Sequence, residues 1–149
     1  MKDTVKVKIK KLTEGAVVPS YGSAFAAGAD LYACCEGDVT VSPHATVLIH
    51  TGIAMEIPEG LAGFVYARSG LASKRNLAPA NKVGVIDSDY RGEIMVALHN
   101  HGETAQTVAN GERIAQLIIA PYFTAEYEEV NELSDTVRGE GGFGSTGTK

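Results

Sequence analysis

The sequence predicts an all-β protein, an antiparallel sandwich or barrel that carries one short helix. Three observations lead there: apolar residues recur with a period of two, turn residues interrupt them at short intervals, and a single segment has helical character. In chain order, Val5, Val7 and Ile9 alternate with lysines. Val39 and Val41 follow, then Val47 and Ile49, then Ile53, Met55 and Ile57. Phe64 and Tyr66 continue the period, as do Ile94, Val96 and Leu98, and finally Leu117 and Ile119 within residues 114–119. Glu14-Gly15, Pro43, Pro58-Glu-Gly60, His101-Gly102 and Asn110-Gly111 supply the turns between them. Many short strands without helical interludes indicate antiparallel pairing. The exception is Ser69-Gly-Leu-Ala-Ser-Lys-Arg-Asn-Leu77, where Leu71, Ala72 and Lys74 follow a Ser-Gly start, so a short helix opens just after the strand expected over 64–67.

Composition narrows the class. The chain has 149 residues, 44% hydrophobic and 21% charged, enough for one globular domain with its own core. Residues 1–130 read as that domain and residues 131–149 as a C-terminal arm. The net charge of −5 argues against a general nucleic-acid binder. No apolar run is long enough to cross a membrane, and the charged, alternating N-terminus lacks the apolar stretch of a signal peptide, so a cytoplasmic protein is expected. Cys34 and Cys35 are adjacent; in a strand they would point to opposite faces, a poor disulfide and an incomplete metal site, which leaves small core or half-core residues.

Five stretches carry chemical groups. Residues 67–74 place Arg68, Ser69 and Gly70 at the start of the helix, either an anion site or an ordinary cap beside a solvated arginine. Residues 81–92, Asn-Lys-Val-Gly-Val-Ile-Asp-Ser-Asp-Tyr-Arg-Gly, hold two acids. If the chain is extended there, Val83, Val85 and Asp87 share a face, and the apolar neighbours press Asp87 toward the core; a surface hairpin with solvated acids is the alternative. Residues 26–33 surround Asp30 with small residues, which reads as one charge held inside or as a capping aspartate in a turn. In residues 111–119, Arg113 and Gln116 interrupt an apolar strand, and a buried glutamine needs a partner in a ligand or another subunit. The tail from Arg138 to Gly147 has five glycines in ten positions together with Arg138, Phe143, Ser145 and Thr146: a lid that orders over a nucleotide polyphosphate, or a frayed terminus. His99 and His101, two apart, can share a strand face without a third ligand nearby, and His44 and His50 read as surface or packing residues.

Taken in order, these stretches resemble the five motifs of the trimeric dUTPase family, from residue 26 to the end of the chain. Ala67 stands where many members have proline, and Leu77-Ala-Pro-Ala80 is a variant approach to the hairpin. The resemblance implies a jelly-roll homotrimer with a C-terminal arm and three active sites shared between subunits, the arm of one chain closing over a neighbour's site. It also implies hydrolysis of dUTP to dUMP and pyrophosphate with Mg²⁺, which limits uracil incorporation into DNA and supplies dUMP for thymidylate synthesis.

Carried over by position, Asp87 would activate a water toward the α-phosphate. Asp30 would meet Mg²⁺ through water. Arg68, Ser69, Gly70 and Gln116 would cradle phosphates, and Arg138, Gly144, Ser145 and Thr146 would clamp the γ-phosphate while Phe143 stacks on uracil. Asn81, the main chain at Gly84, Val85 and Ile86, and Met95 would read the base; Tyr90 would lie against the deoxyribose. Arg91 has no derived role beyond a buried ion pair supporting the turn. Three other readings compete: a dCTP deaminase-like enzyme of the same fold, a nucleotide-binding regulatory module without turnover, and a structural jelly roll. The first needs a glutamate base and a second arginine, both missing from the matching stretches; the second is opposed by Asp87 and the tail; the third has no use for Arg138, Phe143 and Ser145.

Overall fold

The alternation seen in the sequence sets which face of each strand is buried. The structure, a computed structural model, describes residues 4–143. A four-stranded antiparallel sheet is made of β1 (Lys8–Lys11), β5 (Thr46–Glu56), β9 (Glu93–Asn100) and β7 (Leu77–Pro79), in that order. A five-stranded sheet runs β2 (Ser20–Tyr21), β3 (Ala29–Tyr32), β11 (Arg113–Pro121), β6 (Leu61–Tyr66), β8 (Gly84–Ile86). A small third sheet pairs β4 (Val39–Val41) with β10 (Gln106–Val108), and α1 (Ser69–Arg75) is the single helix among the described residues.

The two larger sheets form a jelly-roll-like sandwich. Ile49, Ile53, Val96 and Leu98 from one meet Leu31, Val65, Ile114 and Leu117 from the other, with Val41 and Val108 closing one end. On β9 the burial alternates strictly, Ile94, Val96 and Leu98 inward, so the period of two is a true readout of the core. At its end, buried Asn100 is fully used: Nδ2 donates to the Val41 and Thr104 carbonyls, and Oδ1 accepts from Gly102 N–H. It fixes the turn that follows β9 against the end of β4.

The pairing of β5 with β9 shifts register between His50 and Ala54. Gly52 sits in that irregularity with φ +67, and a Cβ there would lie 2.6 Å from Thr13 Oγ1 and 2.9 Å from Ala16 Cβ. Only glycine meets both demands, the left-handed backbone and the missing side chain. Its N–H donates to Glu93 Oε1 at 2.9 Å. Arg75, at the end of α1, donates to Gln106 Oε1, Glu112 Oε1 and the Thr107 carbonyl, which tethers the helix to the β10 end of the molecule.

Expectations are revised for Val5 with Val7 and for Arg91, while the half-core cysteines and the short helix after β6 are as expected. Val5 and Val7 precede β1, and Val5 is half exposed. Cys34 and Cys35 lie outside the strands; both are free thiols, half-buried against the core, and burial together with the neighbouring Cys34 pushes the Cys35 thiol above its usual range. The helix begins at Ser69, with Arg68 in the cap position and no side-chain cap. Arg91 supports its turn without a buried ion pair: it is exposed and donates to the Ser88 and Tyr90 carbonyls.

Candidate active site

Two surfaces of the chain gather most of the residues singled out above. The first is a cavity of about 250 Å³ between the edge strand β8 and the face of β9. Asn81, Gly84, Val85, Ile86, Asp87, Tyr90 and Met95 all line it, alongside Leu48, Pro79 and Glu93. β8 pairs with β6 on one side only, so a row of its backbone donors and acceptors is left for something else. The approach to β8 is tightly built. Lys82 N–H donates to the Pro79 carbonyl, Val83 N–H donates to the Asn81 carbonyl, and Lys82 is left-handed at φ +62. A Cβ on Gly84 would lie 3.0 Å from Asn81 Nδ2, so the missing side chain lets the Asn81 amide rest against the strand. On the far side, Tyr90 Oη donates to the Glu93 carbonyl at 2.9 Å, and its ring occupies the space that any side chain at Gly92 would need.

Asp87 shares a face with Val83 and Val85, as the extended backbone requires, but that face is the exposed one. Gly84 and Ile86 point inward instead. The two-residue period fixes which residues go together and leaves open which set faces the core. Asp87 therefore stands at the junction of the cavity with a wider polar groove lined by Ser88, Asp89 and Arg91. Glu93, nearby, has Oε2 within 2.9 Å of His50 Nδ1 and Oε1 on the Gly52 N–H. Burial pushes its carboxyl up, and the hydrogen bonds from His50 and Gly52 together with the His50 charge outweigh that, holding it below its usual range.

The second surface is built across the five-stranded sheet. Gln116 on β11 is in register with Asp30 on β3 and with Tyr66 on β6. Paired residues of neighbouring strands share a face, so the three form one row. Asp30 is buried, and both of its oxygens accept from arginines: Oδ1 from Arg68 Nε at 2.8 Å, Oδ2 from Arg113 Nη1 at 3.3 Å. Arg68 also reaches the Arg113 carbonyl. Gln116 Nε2 donates to the Ala67 carbonyl at 2.8 Å and packs on Gly28, where a Cβ would lie 2.5 Å from its Oε1. Ser69 and Gly70 open α1 beside this row, exposed, with first-turn N–H groups that have no acceptor within the helix. A groove of about 560 Å³ runs along the row, lined by Ala26, Ala27, Gly28, Tyr66, Ala67, Lys82, Gln116 and Ile118.

The cavity and this groove have no lining residue in common. In the tail, Arg138 Nε donates to the Gly141 carbonyl, closing a local turn, and Phe143 is fully exposed. Neither lines either surface. Gly144, Ser145 and Thr146 lie outside the described residues. Arg113 was visible in the sequence only as a charge interrupting an apolar strand; its bond to Asp30 spans 83 positions. His99 and His101 do share a face, their rings 4.4 Å apart.

Comparison with known proteins gives a consistent result. A family model described as dUTPase matches residues 14–147. The deoxyuridine 5'-triphosphate nucleotidohydrolase of Syntrophotalea carbinolica is 49% identical over 144 residues, covering 97% of this chain and 98% of the relative. That of Anaplasma marginale is 46% identical over 146 residues, covering 97% and 99%. Among solved structures, the dUTPase of Staphylococcus bacteriophage 80alpha with dUPNHPP superposes with a TM-score of 0.88 at 31% identity, over 97% of this chain and all of that one. A variant dUTPase of phage phi11 of S. aureus, in which a structural Mg(II) ion is coordinated, gives 0.76 at 25% identity, over 86% and 98%.

Proposed function

This chain belongs to the dUTPase family, and from that premise we propose that its cavity and its phosphate groove, contributed by different protomers of a trimer, make one active site. The reaction is hydrolysis of dUTP to dUMP and pyrophosphate. One observation carries the proposal: seven residues chosen from sequence for base, sugar and water line a single small cavity, with Asp87 on its rim.

Uracil enters against the edge of β8, where main-chain donors and acceptors and the Asn81 amide take the place of a pairing base. A cytosine would set a donor against a donor and leave a buried group unpaired, which discriminates strongly. A thymine methyl has no room beside Gly84 and Met95. Tyr90, held by its bond to the Glu93 carbonyl, lies on the deoxyribose and excludes a 2′-hydroxyl by contact. Asp87, exposed and facing open solvent on one side, holds a water in line with the α-phosphorus and takes its proton.

The phosphates beyond the first lie along Arg68, Ser69, Gly70 and Gln116 of the neighbouring protomer. Two features favour sharing between chains: the two surfaces are separate within one protomer, and among the described residues of the arm, 131–143, none lines either surface. Closed rings of identical subunits build such heterologous sites naturally. On the third protomer, Arg138 and Phe143, with Gly144, Ser145 and Thr146, close the site.

The residues present fit a hydrated Mg²⁺. Asp30 gives one lone pair of each oxygen to an arginine and keeps others for water. Among the described residues no trio of His, Cys, Asp or Glu is arranged to hold a bare cation. That donor set suits an ion carried by phosphates and touching protein through its own waters. Held there through water on Asp30, Mg²⁺ would supply positive charge to offset that of the phosphates. No helix among the described residues is long and apolar enough to cross a membrane, and we place the protein in the cytoplasm with its nucleotide substrate.

The test is pyrophosphate release from dUTP, dTTP, dCTP and UTP, with and without Mg²⁺. Release confined to dUTP and dependent on Mg²⁺ is expected. Comparable rates with dTTP or UTP would overturn the pocket assignments, and stoichiometric ammonia from dCTP would favour the deaminase reading.

A further inference from the structure

We propose that Lys82 is a polyphosphate-binding residue of this enzyme, presenting its ammonium to the groove of its own protomer while its neighbour Asn81 serves the base cavity. The inference rests on the functional reading above. Lys82 lines the groove together with Gly28, Tyr66, Ala67 and Gln116, and it is the one charged residue among those that do. The ladder of β6 with β8 ends at Val65 opposite Gly84. Lys82 lies two residues before it, in the left-handed turn, and so leaves the inward-facing row of Gly84 and Ile86 and reaches the groove beside Tyr66 and Ala67.

The cation is unspent. None of the ion pairs among the described residues involves Lys82. Arg68, by contrast, already spends its Nε on Asp30 and its Nη1 on the Arg113 carbonyl, and Arg113 balances the second oxygen of Asp30. Lys82 thus adds to the groove lining a positive group that no ion pair among the described residues engages. Lys82 is held there by a left-handed backbone at φ +62, pinned by the Lys82 N–H to the Pro79 carbonyl. A non-glycine residue in that conformation needs its surroundings to hold it. The consequence is that one two-residue step, Asn81-Lys82, serves two neighbouring sites: the base of one and the phosphates of the other.

The test uses the full-length assembled protein with Mg²⁺. Lys82→Asn removes the charge and keeps a residue that tolerates left-handed φ; Lys82→Arg keeps the charge. Binding of dUMP, of the non-hydrolysable triphosphate analogue dUPNHPP and of pyrophosphate is measured by calorimetry, beside steady-state kinetics. A partly solvated charge–phosphate contact is worth about a 5- to 20-fold change in affinity. Lys82→Asn is therefore expected to weaken the analogue and pyrophosphate by that factor, to raise KM for dUTP with kcat within about twofold, and to leave dUMP unchanged, with Lys82→Arg restoring the loss. Equal weakening of dUMP and the analogue would make Lys82 a merely structural residue, and unchanged analogue binding would overturn the proposal outright. If the unmodified protein neither bound the analogue nor hydrolysed dUTP, the functional reading itself would fall and this inference with it.

Discussion

Gly28 offers a sharp perturbation, because its missing side chain is occupied by a group assigned to phosphate. An ideal Cβ at that position lies 2.5 Å from Gln116 Oε1, 3.1 Å from its Cδ and 3.0 Å from its Cβ. The amide is flexible and can swing aside; the Cβ belongs to the central strand β11 and cannot. Reaching ordinary van der Waals separation moves the amide by roughly 1 Å, which breaks the 2.8 Å bond from Nε2 to the Ala67 carbonyl. Overpacking of this kind costs about 1–3 kcal/mol. In a chain of this length that lowers the melting temperature by about 2–12 °C. Displacing a substrate-positioning group by such a distance costs activity as well, about tenfold or more in kcat/KM.

The assay is a double-mutant cycle of Gly28→Ala with Gln116→Ala, read by thermal unfolding and by pyrophosphate release. Truncating Gln116 removes the Oε1 and Cδ conflicts and leaves the Cβ contact. Gly28→Ala should therefore cost clearly less in the Gln116→Ala background, with a coupling of about 1 kcal/mol. Additive effects, or a Gly28→Ala protein with unchanged melting and turnover, would refute the claim that Gly28 exists to seat the Gln116 amide.

Asp87→Asn should keep binding of the non-hydrolysable analogue and lose turnover by about 10²–10⁴-fold, checked by calorimetry beside pyrophosphate release. Asn100→Ala strips partners from two carbonyls and one N–H; a loss of about 3 kcal/mol is expected, seen as a lower denaturant midpoint with an unchanged slope. The pH dependence of stability has a defined sign at Glu93. Its folded carboxyl is held below the ordinary value of 4.5, so its contribution is complete above that value and is lost as pH falls through the lower folded one. Glu93→Gln should flatten the acid side of the melting-temperature profile below that point and leave the neutral side parallel to the parent.

The sequence made the strand periodicity legible wherever apolar side chains face one core, as on β9, and it made the helix after β6 legible from propensity alone. Shorter pairings escaped it. β2, β7 and β10 have two or three residues each, too few to show a period, and exist because a longer neighbour offers them a ladder. The inward-pressed Asp87 was misread because a period of two has no intrinsic inside. Which set is buried depends on what lies across the sheet, and here Gly84 and Ile86 take that side. Asp30 was readable as a charge among small residues, whereas its two arginine partners are 38 and 83 positions away, and only the register of β3 with β11 brings the farther one, Arg113, alongside. Asn100 gave no signal, since a buried amide and a surface amide are the same letter.

Sharing of one site between protomers is tested most directly by mixing two inactive proteins. Asp87→Asn chains keep the groove, and Arg68→Ala chains keep the cavity. After dissociation and joint reassembly at equal amounts, one of the three sites in every mixed ring, about a quarter of all sites, should pair an intact cavity with an intact groove, and pyrophosphate release from dUTP should recover to that level. Mixtures that stay as inactive as either parent, while forming mixed trimers, would contradict it and confine the chemistry to a single chain.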